Sequence, residues 1–557
     1  MAKPEVSPRS DREAALQRAS WLPFGVAVLF SAAGFLWLDQ HGVALSRDSA
    51  HYLRVAADLR FNGFFLPAEP AYPLGYPLLV AQVMRWEPFA ADAARTLSWL
   101  SYGAALLSMA ALGRRVAGPV VASLAVAVLA TLPPVVGFHG YALSDPIFGA
   151  LILVHTWLAV CAFDVSGRAR YGWLAAAALV LGVATLVRVI GYAPIVVFTG
   201  AVLVLGWRDR ARPGGWLRLA LAHAPCYLPA AGVALAYSVV GRPVHGYRGG
   251  SSEPLALNVE RAASALIGDL GPWLLLPACL GIVWWCWRVR GRALGPTPLW
   301  TVGYTLSLCV VYLVAVIVAA TLTKVSPVGS RFLMAYYGLF LLIVLAGAGL
   351  APAGLRRGAS VVVAFALLRV LAANAEVLAD THQVLVTQGA GSPFHFQQGF
   401  APAETTRSIR EFLGQKASGD SETSVSVLSP LPRRGHHDDG GRSLLFVRSA
   451  VASPVQSARF ARLGPRVMKL WLGDAPEAGG LRYLGLDLDT ESDVTAQSTL
   501  EAVARVMVQA GQSSHWLVVP YHADPIASVG AIAGAPMQIA ERRQVGAYRL
   551  YRLVLEP

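Results

Sequence analysis

Residues 331–350 read RFLMAYYGLFLLIVLAGAGL, one arginine followed by nineteen residues without a formal charge. A helix rises about 1.5 Å per residue, so this stretch measures roughly the 30 Å of a bilayer's hydrocarbon core. Apolar runs of similar length recur along the chain, at roughly 21–38, 95–112, 118–137, 146–163, 172–187, 189–206, 217–238, 272–288, 299–320 and 358–374. The composition agrees. Of 557 residues, 55% are hydrophobic and only 14% charged, with a mean hydropathy of +0.51, whereas soluble domains carry about 25% charged residues. The expected fold class is a polytopic α-helical membrane bundle of about eleven transmembrane helices, followed by a C-terminal soluble α/β domain.

Arginines punctuate the spans in a biased way. Arg114 and Arg115, Arg168 and Arg170, Arg208, Arg210, Arg212 and Arg218, then Arg288, Arg290 and Arg292, and Arg356 and Arg357 fall in alternate loops. With Lys3, Arg9, Arg12 and Arg18 they share one side, which the positive-inside rule makes cytoplasmic. The net charge of +13 is therefore spread between apolar runs, and nucleic acid is not an expected partner. Residues 1–20 are too long and charged for a signal-peptide n-region, so 1–20 reads as a cytoplasmic N-terminus and the first span as a retained helix. The five cysteines lie in or beside apolar runs, which excludes a disulfide framework or thiolate zinc site in the C-terminal domain.

The expected domains are a transmembrane part, 21–374, and an outward-facing α/β part, 375–557. Within the first, the outer loop 39–94 holds RDSAHYLRVAADLRFNGFF and EPAYPLGYPLLVAQVMRWEP, which read as amphipathic helices lying in the interface. Past residue 375 the apolar runs shorten to strand length (SVSVL, SLLFV, HWLVVP, AYRLYRLVL), with one helical stretch, STLEAVARVMVQAG, between them. The loop RRGHHDDGGR reads as polar connection.

Several ionisable residues fall on the side away from the arginine-rich loops. Asp48 directly precedes SAHYLRVAADL; it fits a helix N-cap and also a general base at the membrane surface, two roles that are compatible. Asp145, in LSDP, fits a cap followed by proline at the first helical position. Arg188, in TLVRVIGYAPI, and Arg331 stand outside against the charge bias, and Arg331 opposes the dipole of the helix it starts. Together with Lys324 they suggest an anion held at the outer surface, most simply a phosphate. His41, His51, His139 and His155 lack the spacing of metal ligands.

The order RDSAHYL, PLGYPLLVA, ALSDPIF, LVRVIGY, SRFLMAYYGLFLL resembles the GT-C class of multi-spanning glycosyltransferases. More narrowly it is similar to the family-39-like bacterial enzymes, whose relatives include protein O-mannosyltransferases and the lipid A aminoarabinose transferase. The resemblance covers about residues 20–350 and implies a polyprenyl-phosphate sugar donor and a hydroxyl acceptor on lipid, glycan or protein. It gives Asp48 the place of the catalytic acid–base residue of the first outer loop and Asp145 that of the acidic residue of the second. Arg188, Arg331 and Lys324 would attend the donor phosphate, and His51, Tyr52 and Tyr76 would position donor or acceptor. Protein mannosyltransferases commonly carry a second acidic residue where this chain has Ser49. Guanidinium groups can stabilise a monophosphate leaving group, so no cofactor or divalent metal is required. Attack by the acceptor opposite the phosphate predicts inversion. The setting implied is the outer face of a bacterial inner membrane. A lipid-linked oligosaccharide ligase or polymerase could share the bundle. A lipid or sugar transporter would place ionisable residues near span centres, and these spans carry few.

Overall fold

The computed structural model describes residues 20–41, 44–45, 47–61, 73–87, 90–208, 215–239, 254–290, 296–322 and 329–388, and in the C-terminal part 401–402, 408–409, 412–413, 423–427, 481–483, parts of 500–508, 514–520, 537–545 and 548–555. The chain is a multi-pass membrane protein. It opens with α1 (Leu22–His41), strand β1 (Ala44–Leu45), and two helices of the first loop, α2 (Arg47–Phe61) and α3 (Gly75–Val83). The bundle continues as α4 (Ala90–Ala117), α5 (Pro119–Thr131), α6 (Pro133–His139), α7 (Ser144–Asp164), α8 (Arg168–Val187) and α9 (Tyr192–Arg208). Then come α10 (Gly215–His223), α11 (Leu228–Val239), α12 (Leu255–Leu270), α13 (Leu275–Arg290), α14 (Pro296–Leu322), α15 (Met334–Gly349) and α16 (Arg356–Gln388).

Every window read as a span carries helix, but not every window is one uninterrupted crossing. Among the described residues eight helices are long and apolar enough to cross a bilayer, and a ninth is the pair α5–α6, bent by 54°. The bend has a local cause. Leu132 is extended ahead of Pro133, and proline both lacks the donor that would continue α5 and restricts the residue before it. The window 217–238 is broken at the 3-10 turn Ala224–Cys226, which contains Pro225. Helix α16 runs on to Gln388, fourteen residues past the expected end of the bundle at 374.

Helix α15 is apolar on all sides and buried from Met334 to Ala348, apart from Tyr336, which makes it the bundle's central post. It packs against α4, α7, α13, α14 and α16. Val28, Leu29 and Leu36 of α1, Val283 and Trp287 of α13, and Val361 and Phe365 of α16 are exposed, as side chains facing lipid are. At one end of the bundle arginines tie the helix termini. Arg115 pairs with Asp164 at 2.9 Å, and Arg288 donates to the carbonyls of Leu350 and Ala351 at 3.1 Å. Gly118, between α4 and α5 at this end, has φ +79°, a conformation that a side chain would strain.

The C-terminal part forms a five-stranded sheet from β3 (Thr423–Val427), β4 (Leu481–Tyr483), β5 (Ser514–Pro520), β6 (Met537–Val545) and β7 (Tyr548–Leu555), in the order β4-β3-β5-β7-β6. Strand β3 runs parallel to β4 and β5, and β7 is antiparallel to β5 and β6. Alternation along β5 sends Trp516 and Val518 to the face covered by Ile409, Phe412 and Leu413. Leu517 and Val519 face the helical residues Leu500, Val503, Ala504 and Met507. The first face belongs to the same buried cluster as the bundle. The segments SLLFV and RRGHHDDGGR lie outside the described residues. Between bundle and sheet, β2 (Ala401–Pro402) pairs antiparallel with β1 of the first loop.

Candidate functional site

Four charged side chains, distant in sequence, meet at the end of the bundle opposite the Arg115–Asp164 pair. Asp145 stands in the first turn of α7 and is 1% exposed. The residue before the helix is Leu143, and no side chain caps it. Asp145 is therefore not the cap that its Asp-Pro context suggests. Its carboxylate is engaged by two arginines instead. One oxygen accepts from Nη1 of Arg188, and the other accepts from Nε of Arg331 at 2.9 Å. Nη2 of Arg331 reaches on to the carboxylate of Asp48 at 2.8 Å. The result is a chain of alternating sign, Arg188–Asp145–Arg331–Asp48, whose formal charges cancel.

Local backbone explains why these residues converge. Arg188 is an extended corner, φ −148° and ψ 133°, between α8 and the 3-10 turn Val189–Gly191, and its side chain is thereby thrown off the helix axis. Arg331 belongs to the 3-10 turn Ser330–Leu333 that enters α15. The pairing with two carboxylates supplies the reason for a cation at a helix N-terminus. Asp48 lies in the first turn of α2. Asp145 alone of the four is sealed, its side chain 1% exposed, against 23% for Asp48, 25% for Arg331 and 17% for Arg188. Burying Asp145 as an ion is tolerable only because both of its oxygens are paired.

Aromatic and hydroxyl groups line this chain. The phenol of Tyr52 lies 3.2 Å from Oγ of Ser144, and its ring meets Tyr76 edge-on at 5.0 Å. Burial pushes both phenols well above their ordinary range, so both stay protonated. The hydroxyl of Tyr76 is buried and has no hydrogen-bond partner among the described residues. The Arg188 guanidinium sits over the ring of Phe332, 5.3 Å from its centroid.

Of the residues singled out from sequence, Asp48, Asp145, Arg188, Arg331, Tyr52 and Tyr76 are brought to one locus. Lys324 and the side chain of His51 lie outside the described residues. Sequence reasoning passed over Asp269, at the end of α12. It accepts a hydrogen bond from the hydroxyl of Tyr337, which also lies 3.3 Å from the Ser330 carbonyl. Burial raises the Asp269 carboxyl above the usual range. This contact pins the turn that carries Arg331. Its one sequence signal was an acid in GDLGP ahead of a span. Among the described residues no three His, Cys, Asp or Glu side chains converge as metal ligands do.

No protein-family model matches the chain, and no curated protein matches it. Solved structures do. The crystal structure of ArnT from Cupriavidus metallidurans bound to undecaprenyl phosphate aligns over 95% of this chain and 97% of its own, with 14% identity and a TM-score of 0.50. The archaeal oligosaccharyltransferase AglB from Archaeoglobus fulgidus, in complex with an inhibitory peptide and a dolichol-phosphate, aligns over 94% of this chain and 74% of its own, with 11% identity and a TM-score of 0.42. The chain has the GT-C fold of the ArnT structure.

Proposed function

We propose that this protein is a membrane glycosyltransferase that moves a sugar from a polyprenyl-phosphate carrier to a hydroxyl acceptor, with Asp48 as general base. The observation that carries the proposal is Arg331, whose guanidinium bridges Asp48 and Asp145. One side chain thus connects a partly open carboxylate with a buried anchor, and Arg188 is held by the same anchor. The positive-inside rule puts the arginine-rich end in the cytoplasm and this cluster at the outer face. The ArnT structure holds undecaprenyl phosphate, a carrier of the class proposed here.

In the reaction the acceptor oxygen forms a bond to the anomeric carbon as the bond from that carbon to the phosphate oxygen breaks. The acceptor proton passes to Asp48, and the sugar configuration inverts. The departing lipid phosphate gains negative charge. A guanidinium offers five donors in a planar fork, of which Arg331 spends Nε and one Nη2 donor on the two carboxylates and Arg188 spends one at Nη1. The remaining donors can face the phosphate without breaking the chain of pairs. Asp145, sealed from solvent, is a positioning residue that holds both guanidinium groups in register. The unspent Tyr76 hydroxyl is a donor for a sugar oxygen.

The test is transfer of labelled sugar from a panel of polyprenyl-phosphate sugars by the purified protein in nanodiscs. Asp48→Asn is expected to lower transfer by roughly 10²-fold or more while the folded protein persists. Full activity in that variant would remove the assignment.

A further inference from the structure

A cavity lies apart from the charged chain, between α1, α4, the α5–α6 bend and α16. It measures about 160 Å³ and is lined by Phe30, Ala33, Trp37, Tyr102, His139 and Leu378 among others. Its walls are overwhelmingly apolar. Ala33 is exposed, and Phe30, Trp37 and Leu378 are half-buried. The neighbouring Leu29, Leu36 and Phe35 are exposed to the lipid side. The cavity therefore has an entrance from the bilayer.

The bend at Pro133 and Pro134 turns His139 inward, where it is 4% exposed. Its Nδ1 lies 2.7 Å from the Val135 carbonyl. A carbonyl only accepts, so Nδ1 carries the proton, and the neutral ring presents a bare lone pair at Nε2. That atom is buried with no partner among the described residues. The two hydroxyls on the wall have spent their protons. Tyr102 donates to the Ala130 carbonyl at 2.7 Å, and Thr131 donates to the Ala127 carbonyl at 2.8 Å. Tyr102, Thr131 and His139 therefore offer only acceptors to a guest. A guest that pairs with these three groups must therefore donate its own proton. An anion is excluded because no cation lines the chamber.

We propose that this cavity binds the chain of a membrane lipid bearing a hydroxyl group, which enters between α1 and α16 and donates its proton to Nε2 of His139. The apolar walls hold the chain, and the imidazole selects for the hydroxyl, because only the hydroxyl supplies the hydrogen bond that Nε2 otherwise lacks. The site is built into the broken helix that leads to Asp145 six residues later, yet it uses none of the four charged groups.

The experiment uses the full-length protein in phosphatidylethanolamine and phosphatidylglycerol nanodiscs. These are doped with a phospholipid whose acyl chain carries a hydroxyl and a photoreactive diazirine, or with its deoxy counterpart. Labelling on the peptides containing Phe30–Trp37 and Leu378 is expected to be roughly fivefold greater with the hydroxylated lipid. His139→Phe should equalise the two lipids. Ala33→Trp, a change at an exposed residue, should suppress labelling by both. Equal labelling of the native protein, no labelling there, a preference that survives His139→Phe, or undiminished labelling of Ala33→Trp would each overturn the proposal.

Discussion

Asp48 and Asp145 are both carboxylates facing the same guanidinium, and their surroundings assign them different work. Asp145 is sealed and holds two arginines, whereas Asp48 is partly open to solvent and takes the far end of Arg331. Replacing Asp145 by leucine takes the carboxylate from Arg188 and leaves Arg331 with Asp48, and removing one partner of a buried pair typically costs 3–5 kcal/mol. The expected outcome is a loss of that order, about 3–5 kcal/mol, in thermal unfolding in detergent, with transfer lost alongside. Asp48→Asn keeps shape and hydrogen bonding at a half-exposed position, so it should lower transfer while shifting the unfolding temperature by only a few degrees. A variant of Asp145 as stable as the native protein would break this division of labour. The sequence made these acids visible, because each stands at the start of a helix on the side away from the arginine-rich loops. The pairing was not visible: nothing in LSDP or SRFLM says that residues 145 and 331 share a hydrogen bond.

Elements decide how sharply those residues are held. Helix α3 lies against the end of α8 so closely that a Cβ on Gly75 would come within 2.6 Å of the Val187 amide nitrogen, next to the Arg188 corner. Gly75→Ala must push α3 away, drawing Tyr76 from Tyr52. The expected outcome is a destabilisation of about 1–3 kcal/mol and slower transfer, measured on the same nanodisc samples. In the sheet, His515 of β5 is fully buried, and burial lowers its pKa to about 4. Below about pH 6.5 the unfolded chain takes up a proton that the native side chain refuses, so stability falls as pH drops from 6.5 towards 4 and is level below that. The full loss is on the order of 3 kcal/mol. Hydrogen exchange of β5, corrected for intrinsic rates, should reveal it, and His515→Phe should flatten the dependence. Strands β5 and β7 were legible as HWLVVP and AYRLYRLVL. Strand β6 was not, because MQIAERRQV carries three charges that its half-exposed position tolerates.

At the scale of the whole molecule, apolar length placed helix in every window read as a span, since that length is imposed by the bilayer itself. The breaks at Pro133 and Ala224–Cys226 escaped that reading, because a bent helix and a straight one have the same composition. The tie between the first loop and the segment that follows the bundle escaped it too. Ala44–Leu45 pairs with Ala401–Pro402, and two residues after Leu45 the helix bearing Asp48 begins. The segment leading into the C-terminal sheet is thus a backbone splint for the first loop. Sheet face and bundle also share one buried cluster. A chain ended after Gln388 keeps Asp48, Asp145, Arg188 and Arg331 but loses the partner strand of β1. Positional errors near 1 Å can cost about 10²-fold in rate, so the truncated protein is expected to retain its bundle, by circular dichroism in detergent, and to transfer sugar far more slowly. Native-like transfer by the truncated chain would mean that α2 is held from within the bundle alone, and the strand pair would then have no part in placing Asp48.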